Sequence, residues 1–148
     1  MEKHKVISAV HLFLIDSTER ILLSRRYKTG YEDGNYSLIA GHLEKGETVK
    51  QAMVREAKEE AGIDIELSDL EIVHVMHRKA ENNTDSDRID FFIKAQKWNG
   101  KIEIMEKEKC DDMSWFALDK LPKNIIPYIK KSIKNFSSNS YYSEYGWQ

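Results

Sequence analysis

The stretch that decides the fold is GHLEKGETVKQAMVREAKEEAGI, residues 41–63. It contains a glycine-bounded loop, a helix-forming segment and three closely spaced glutamates. Thr48 is suited to cap the helix N-terminus, and Gln51 completes a capping-box pattern. Gly62 is suited to end the helix, because glycine tolerates the left-handed conformation of a C-terminal cap. The stretch therefore predicts a capped helix over residues 49–61, a segment free of glycine and proline.

Three glutamates, Glu56, Glu59 and Glu60, are spaced to lie on one face of this helix. Like charges this close repel one another, so a compensating positive charge is expected. On a helical wheel, Glu56 and Glu60 fall on the same side as Met53, toward the protein body or a groove beside it. A hard divalent cation such as Mg²⁺ would supply the charge. A solvated acidic helix, with pairs such as Arg55–Glu59, is the simpler alternative.

The complete spacing of the stretch favours the metal site over the solvated helix. It consists of Gly41, five residues, Glu47, seven residues and then REAKEEAGI at 55–63. This pattern resembles the Nudix box, the signature of the Nudix hydrolases. Every fixed position is matched, although Ala57 is small for a position that prefers an aliphatic side chain. The chain is therefore identified as a member of the Nudix family, with a MutT-like organisation.

The resemblance implies hydrolysis of a nucleoside diphosphate linked to another group, X, by attack of water on phosphorus. It implies that Glu56, Glu59 and Glu60 ligate Mg²⁺ or Mn²⁺, which neutralises the pyrophosphate and helps to generate the nucleophile. The backbone carbonyl of Gly41 is expected to reach the same metal. Glu56 is also the preferred base for the attacking water, and Arg55 is expected to orient the carboxylates.

Acidic residues outside the helix have separate expected roles. Glu47 is expected to support the loop and the helix start, where an acidic residue is favourable. Nudix enzymes often bring a further acidic residue to the metals from a loop beyond the box. Glu106 and Glu108 are the candidates, and Glu108 is preferred because its distance from Trp115 suits a loop that reaches back. An ordinary charged surface loop is the alternative.

Length and composition predict one domain, with a core over about residues 6–136 and a polar C-terminal tail over residues 137–148. The chain has 148 residues, of which 41% are hydrophobic and 32% charged, an ordinary globular balance. The net charge of −2 makes binding to nucleic acid or to an anionic membrane unlikely. Cys110 is the sole cysteine, which excludes an intrachain disulfide. With no signal peptide or apolar membrane span apparent, a cytoplasmic monomer or homodimer is expected.

The order of predicted elements agrees with the Nudix fold, an α/β architecture in which a mixed β-sheet lies between α-helices. The first strand is apolar on both faces and is expected to be central, with the second as its hairpin partner. Asn99-Gly100 is a hairpin signal. The tail is either disordered or docked on the body or on a partner subunit. Strands are predicted over residues 6–16, 20–26, 36–40, 63–67, 70–79, 88–97 and 113–118, and an amphipathic helix over 124–136.

Several side chains outside the box are open to two interpretations. Trp115 and Phe116 are expected in the core, with stacking on a base as the alternative. Four residues at or after the second strand either contact the substrate or form an exposed basic strand end, and the sequence favours neither. They are Arg25, Arg26, Tyr27 and Tyr31.

The preferred substrate is a (deoxy)nucleoside triphosphate, including oxidised ones, cleaved to the monophosphate and pyrophosphate. This choice rests on the compact MutT-like organisation and is an argument by analogy. A nucleotide sugar such as ADP-ribose is the alternative substrate, which a glutamate beyond the box would favour. A non-catalytic Nudix module that binds nucleotide or RNA is the alternative of another class. The intact glutamates favour catalysis over that module.

Overall fold

The computed structural model describes residues 2–82 and 85–147. Within these ranges lie eight strands, two α-helices and a 3₁₀ turn at Leu67–Asp69. None of these helices has the length and apolar character needed to cross a membrane. The elements are β1 (Ile7–Leu14), β2 (Arg20–Arg26), β3 (Tyr36–Ser37), β4 (Ile39–His42), α1 (Val49–Ala61), β5 (Glu71–Arg78), β6 (Arg88–Ala95), β7 (Cys110–Ala117), α2 (Pro127–Ser137) and β8 (Tyr142–Tyr145).

Two β-sheets form the framework. The larger has the order β4-β1-β6-β5-β8 and is mixed: β1–β6 and β5–β8 pair in parallel, whereas β1–β4 and β5–β6 are antiparallel. The smaller has the order β3-β2-β7 and is antiparallel. The two helices contribute to hydrophobic clusters on opposite faces of the larger sheet. The predicted α/β fold, a mixed sheet between helices, is confirmed, and the smaller sheet is an addition to it.

The first strand lies inside the larger sheet, as its apolar pattern predicts. Leu12 belongs to the same cluster as Met53 of α1, while Phe13 belongs to the cluster that contains Ile129 of α2. All four residues are at most 1% exposed. Successive side chains of a strand point to opposite faces, so a strand covered on both sides must be apolar on both. This explains the nearly continuous apolar run of β1.

The caps of α1 are formed by the residues that the sequence indicates. The Thr48 hydroxyl accepts a hydrogen bond from the backbone N–H of Gln51 at 3.1 Å, and the Gln51 side chain accepts one from the N–H of Thr48 at 2.8 Å. Gly62 adopts a φ of 71° and donates its N–H to the carbonyl of Lys58 at 3.1 Å. Both helix ends are therefore satisfied locally, and the predicted bounds are confirmed.

The expected hairpin between β1 and β2 is wrong. The two strands belong to different sheets, and the described residues record a single bridge between them, at Ile15 and Ile21. Ile21 and Leu23 face the cluster on the α2 side, whereas Leu22 faces the α1 side. Both strands are apolar on both faces, so each becomes the interior strand of its own sheet. The short turn joins the sheets instead of pairing the strands.

The predicted strand over residues 63–67 and the predicted hairpin at Asn99-Gly100 are also wrong. Asp64 and Asn99 form one isolated antiparallel bridge, and the chain then turns at Gly100, which has a φ of 98°. The next residues run past the end of α1, where the N–H groups of Glu103 and Met105 donate to the carbonyls of Ala61 and Glu60. Helix-end carbonyls have no partner within the helix, so this segment satisfies them.

The C-terminal tail docks on the body of the domain, one of the alternatives left open by the sequence. β8 pairs with β5 at the edge of the larger sheet, and residue 148 lies outside the described part. The buried His74 ring donates from Nδ1 to the carbonyl of Ser140 at 2.7 Å, and its Nε2 accepts from the Ser143 hydroxyl at 2.8 Å. Trp147 donates its indole N–H to the carbonyl of His77 at 2.9 Å.

Candidate active site

Arg55 ties the loop before α1 to the helix. Its guanidinium donates to both carboxylate oxygens of Glu47, at 2.7 and 3.0 Å, and to the carbonyl of His42 at 3.1 Å. Glu47 also accepts a hydrogen bond from the N–H of Glu44 at 2.8 Å. The hydrogen bond from Arg55, followed by that from Glu44, lowers the pKa of the Glu47 carboxyl, so this contact is charged at neutral pH. Glu47 thus supports the loop as expected.

The helix glutamates line a groove of about 270 Å³, called here the carboxylate groove. Arg55 donates to Glu56 at 2.7 Å and contacts Glu59 at 3.4 Å. The Glu60 carboxyl accepts a hydrogen bond from the N–H of Ala40 at 3.3 Å. The Glu56 side chain is 13% exposed and that of Glu59 is 50% exposed, so the row of glutamates runs from the groove interior to its rim.

The pKa of Glu60 is shifted by its position in this groove. Burial raises its pKa well above the ordinary value, and the neighbouring Glu56 and Glu106 carboxylates raise it further. The hydrogen bond from Ala40 acts in the opposite direction without cancelling these effects. Glu60 therefore holds its proton more tightly than an ordinary carboxyl does, and it is hydrogen-bonded to Glu56. A cation bound in the groove would favour the ionised form of Glu60.

Gly41 lies where the groove leaves no room for a side chain. It is part of β4 and pairs with Val10 of β1. A Cβ atom at this position would stand 2.2 Å from both Cδ and Oε1 of Glu56. Any larger residue at this position would displace the Glu56 carboxyl from its present place.

A second cavity of about 380 Å³, called here the central cavity, adjoins the carboxylate groove. Arg26, Ser37 and Ala40 line both spaces. The Arg26 guanidinium is fixed at this junction, because it donates to the carbonyl of Tyr31 at 2.6 Å and to the Thr29 hydroxyl at 3.0 Å. The positively charged guanidinium of Arg26 therefore lies where the groove opens into the cavity.

A buried charge network forms part of the central cavity. Asp90, which is fully buried, accepts hydrogen bonds from Arg78 at 2.8 and 3.2 Å and contacts Nε2 of His11 at 3.0 Å. Burial raises the pKa of Asp90, but hydrogen bonds from His11 and Arg78 outweigh burial and bring it to about 2. The Arg78 guanidinium also lies 3.8 Å from the centre of the Tyr128 ring. His11, Arg78 and Tyr128 all line the cavity, so its wall is fixed by charge and stacking.

Comparison with known proteins identifies the family. A sequence model of the NUDIX domain matches residues 5–136. The chain belongs to the Nudix family. The resemblance of residues 41–63 to the Nudix box is thereby confirmed.

Two curated Nudix relatives have similar sequences. The NAD-capped RNA hydrolase NudC of Pseudomonas aeruginosa is 29% identical over 122 residues, which are 82% of this chain and 40% of that protein. The oxidized purine nucleoside triphosphate hydrolase of Danio rerio is 29% identical over 114 residues, 75% of this chain and 67% of that protein. The chain thus spans about two fifths of the length of the NudC relative.

Solved structures show the same fold. The MutT NUDIX hydrolase from Burkholderia pseudomallei superposes with a TM-score of 0.79 at 24% identity, covering 88% of this chain and 98% of that one. The MutT protein from Methanosarcina mazei has a TM-score of 0.76 at 18% identity, covering 93% and 97%. At these identities the likeness concerns the fold alone, and it places the two sheets and two helices in the Nudix architecture.

Nudix hydrolases generally use divalent metal ions, and the donor chemistry of the carboxylate groove fits such an ion. Carboxylate oxygens are the ligands that hard cations prefer, and the raised pKa of Glu60 marks a shortage of positive charge. The coordination shell is not preformed: among residues 2–82 and 85–147, no three acidic, histidine or cysteine side chains are grouped to hold a metal. An incoming cation would therefore have to draw the carboxylates together.

The structure distinguishes between the two acidic candidates beyond the Nudix box by their positions. Glu108, the preferred candidate, is exposed and does not line the groove, whereas Glu106 does. The segment that satisfies the end of α1 delivers Glu106, because Met105 is bonded to the Glu60 carbonyl. Spacing from Trp115 could not reveal this path. The proposed ligand therefore moves from Glu108 to Glu106, and the metal roles of Gly41 and the other glutamates stay predictions.

Of the residues that were open to two interpretations, some line the central cavity and others pack in the core. Arg26 and Tyr31 line the central cavity, whereas Arg25 bonds Asp111 at 2.7 Å and Tyr27 is absent from the described lining. Trp115 and Phe116 pack against the two hydrophobic clusters, which confirms their expected core role. The sequence analysis missed the cavity residues His11, Arg78 and Tyr128, and the buried Asp90 that contacts the first two. The alternation of β1 was the available signal, since it places polar His11 on the same face as Phe13.

Proposed function

We propose that this Nudix domain is a Mg²⁺-dependent pyrophosphohydrolase that cleaves a (deoxy)nucleoside triphosphate, including oxidised purine nucleotides, to the monophosphate and pyrophosphate. Mn²⁺ is expected to replace Mg²⁺. The observation that carries the proposal is the junction at Arg26, where the carboxylate groove opens into the 380 Å³ central cavity. A cavity of this size suits a nucleoside, and the junction is where its phosphates would lie.

The residues of the groove have distinct parts in this reaction. When bound, the cation would neutralise the phosphate oxygens and make the attacking water more acidic. The Gly41 carbonyl and the carboxylates of the groove would hold it, and Glu56 would also accept the proton of the water. These carboxylates are Glu56, Glu59, Glu60 and Glu106. Arg55 positions Glu56 through its 2.7 Å hydrogen bond.

The phosphate chain meets a second positive group at the junction. Arg26 offers charge to the phosphates from a guanidinium already fixed by Tyr31 and Thr29. A planar guanidinium suits phosphate oxygens, and its fixed position reduces the side-chain entropy lost on binding. The nucleoside would then occupy the central cavity beside His11 and Tyr128, while the bond to be cleaved lies over the glutamates.

Three other functions are to be tested against this one. The similarity to NudC favours a dinucleotide such as NAD, free or on RNA, as a second substrate class. The earlier expectation that nucleic acid is not a partner stays a prediction, as do the cytoplasmic location and the oligomeric state. A glutamate beyond the Nudix box favours a nucleotide sugar such as ADP-ribose as substrate, and Glu106 in the groove is such a glutamate. A non-catalytic binding module is less favoured, because Glu56, Glu59 and Glu60 are all present.

The deciding experiment is a hydrolysis screen with Mg²⁺ over canonical and oxidised nucleoside triphosphates, NAD, ADP-ribose and nucleotide sugars. Pyrophosphate release is measured for the triphosphates, and the mononucleotide products of the other substrates are separated by chromatography. Hydrolysis of a triphosphate that requires Mg²⁺ and is abolished in Glu56→Gln supports the proposal. Glu106→Gln and Glu108→Gln form a matched pair: the first is expected to lower kcat by about 10- to 100-fold, whereas the second leaves it unchanged. Turnover of NAD or ADP-ribose alone would replace the proposed substrate. Turnover of nothing, with nucleotide still bound, would favour the binding module.

Metal binding is testable without substrate. A cation that binds only the native state raises the melting temperature, and the free energy it adds grows with the logarithm of its concentration relative to Kd. Millimolar Mg²⁺ or Mn²⁺ is expected to raise that of the wild type and to have a smaller effect on Glu60→Gln. An equal shift in both proteins would place the cation outside the carboxylate groove.

A further inference from the structure

A second, more open cleft continues from the central cavity, and it is called here the terminal cleft. It measures about 1160 Å³ and is lined by both ends of the described chain, including His4 and Trp147. It shares residues 78–82 and Asp85 with the central cavity, but no described lining residue with the carboxylate groove. The three spaces therefore lie in series: groove, central cavity, terminal cleft.

The terminal cleft has an aromatic ring that is both exposed and fixed in orientation. Trp147 is 41% exposed, yet its indole N–H is bonded to the carbonyl of His77 at 2.9 Å. The indole also packs on the His77 imidazole, with 4.7 Å between ring centres. His77 is itself held by Asp87 at 2.7 Å. A solvent-exposed ring that is already oriented is a suitable platform for stacking a nucleobase.

The terminal cleft is lined by lysines that have no ion-pair partner among the described residues. Three of its acidic side chains are occupied by internal contacts: Asp87 with His4 and His77, Asp85 with Arg88, and Glu81 with Tyr31. By contrast, Lys3 and Lys5 form no ion pair with any described residue, and Lys79 lies 6.0 Å from the Trp147 ring centre. Glu2 is the one lining carboxylate without a contact among the described residues. Since a tyrosine and neutral histidines do not cancel the charges of Glu81 and Asp87, the cleft is close to neutral overall, and its lysines are the positive groups left to meet a phosphate.

We propose that the terminal cleft binds the second nucleotide of an oligonucleotide whose 5′ phosphates lie in the carboxylate groove. The first nucleoside would fill the central cavity, the linking phosphate would lie among the lysines, and the second base would stack on Trp147. A nucleoside triphosphate alone ends at the central cavity and leaves this cleft unused. The inference rests on the proposed function, because that proposal places the phosphates in the groove. It replaces the expectation, drawn from net charge, that nucleic acid is not a partner.

Binding of two reaction products tests the subsite apart from catalysis. The probes are AMP and pApA, the 5′-phosphorylated dinucleotide of adenosine, neither of which contains a pyrophosphate bond. Calorimetry is expected to show that the wild type binds pApA about tenfold more tightly than AMP, as one added base stack provides. Trp147→Ala is expected to lose that advantage, and Trp147→Tyr to keep most of it. Tyr141→Ala, an exposed aromatic outside the terminal cleft, is the matched control and should retain it fully.

Equal affinities of the wild type for AMP and pApA would overturn the subsite, as would an unchanged preference in Trp147→Ala. Absence of binding by both probes would overturn it too. The proposed function has a separate readout in pyrophosphate cleavage. Cleavage of nucleoside triphosphates with no preference for pApA would leave the hydrolase standing and reject the subsite. A preference for pApA without cleavage of any substrate would support the subsite and reject the hydrolase.

Discussion

Gly41→Ala tests the close approach of β4 to the carboxylate groove. The added methyl would stand 2.2 Å from Cδ of Glu56, whereas ordinary contact begins at 3.4 Å. The alanine backbone has no difficulty in a strand, so the strain falls on the side chain opposite. The Glu56 carboxyl must therefore withdraw by about 1.2 Å and give up its present hydrogen bond to Arg55.

The expected loss is far larger in activity than in stability. A misplacement of about 1 Å in a reacting group costs on the order of 100-fold in rate, so kcat/KM should fall by about that factor. The free energy of unfolding should fall by only about 1–2 kcal/mol, because one hydrogen bond is lost while Arg55 keeps its contacts with Glu47 and His42. Steady-state kinetics and urea unfolding measure the two quantities.

A double-mutant cycle provides the control for this prediction. Glu56→Asp shortens the side chain and withdraws its carboxyl from the position of the added methyl. In that background, Gly41→Ala should cost less than about tenfold in kcat/KM, because residues in contact do not contribute additively. The packing argument is refuted if the single Gly41→Ala variant keeps nearly full activity. It is also refuted if the substitution costs the same factor in both backgrounds.

Three further substitutions address stability and positioning. Asp90→Asn leaves Arg78 without its buried counter-charge and should lower the free energy of unfolding by about 3–5 kcal/mol at pH 7. Because the folded pKa of Asp90 is about 2, its stabilisation is complete above about pH 4. The difference between wild type and Asp90→Asn in urea titrations should therefore shrink as the pH falls from 4 towards 2. Thr48→Ala removes the cap of α1 and should cost about 1 kcal/mol in urea unfolding, with the Gln51 hydrogen bond as the reason. Arg55→Lys loses the paired contact with Glu47. In steady-state kinetics it should lower kcat by about tenfold and change KM less. An unchanged kcat would contradict the positioning role of Arg55.

The parts of the fold that the sequence predicts well are those with a local cause. The capping box at Thr48 and the glycine at the end of α1 act within a few residues, so the helix bounds are correct. The apolar run of β1 and the spacing of Glu56, Glu59 and Glu60 are also local patterns. They are sufficient to predict a buried strand and a row of carboxylates on one helix face.

The parts that the sequence does not predict depend on distant partners. Glu106 enters the carboxylate groove because its segment satisfies carbonyls of α1, residues more than forty positions earlier in the chain. The charge network around Asp90 joins β1, β5 and β6, and no single segment carries its pattern. The separation of β1 and β2 into two sheets follows from burial on both faces, whereas the turn between them resembles a hairpin loop.

The position of β8 has a consequence for the nascent chain on the ribosome. β8 is the outermost strand of the larger sheet and is synthesised after all the other strands. Until it emerges, β5 is the sheet edge, and the His74 ring lacks both hydrogen-bond partners, which come from residues 140 and 143. An unpaired edge can recruit strands from other chains. Translation arrest before Ser140 is therefore expected to leave an aggregation-prone intermediate that release of the remaining residues resolves.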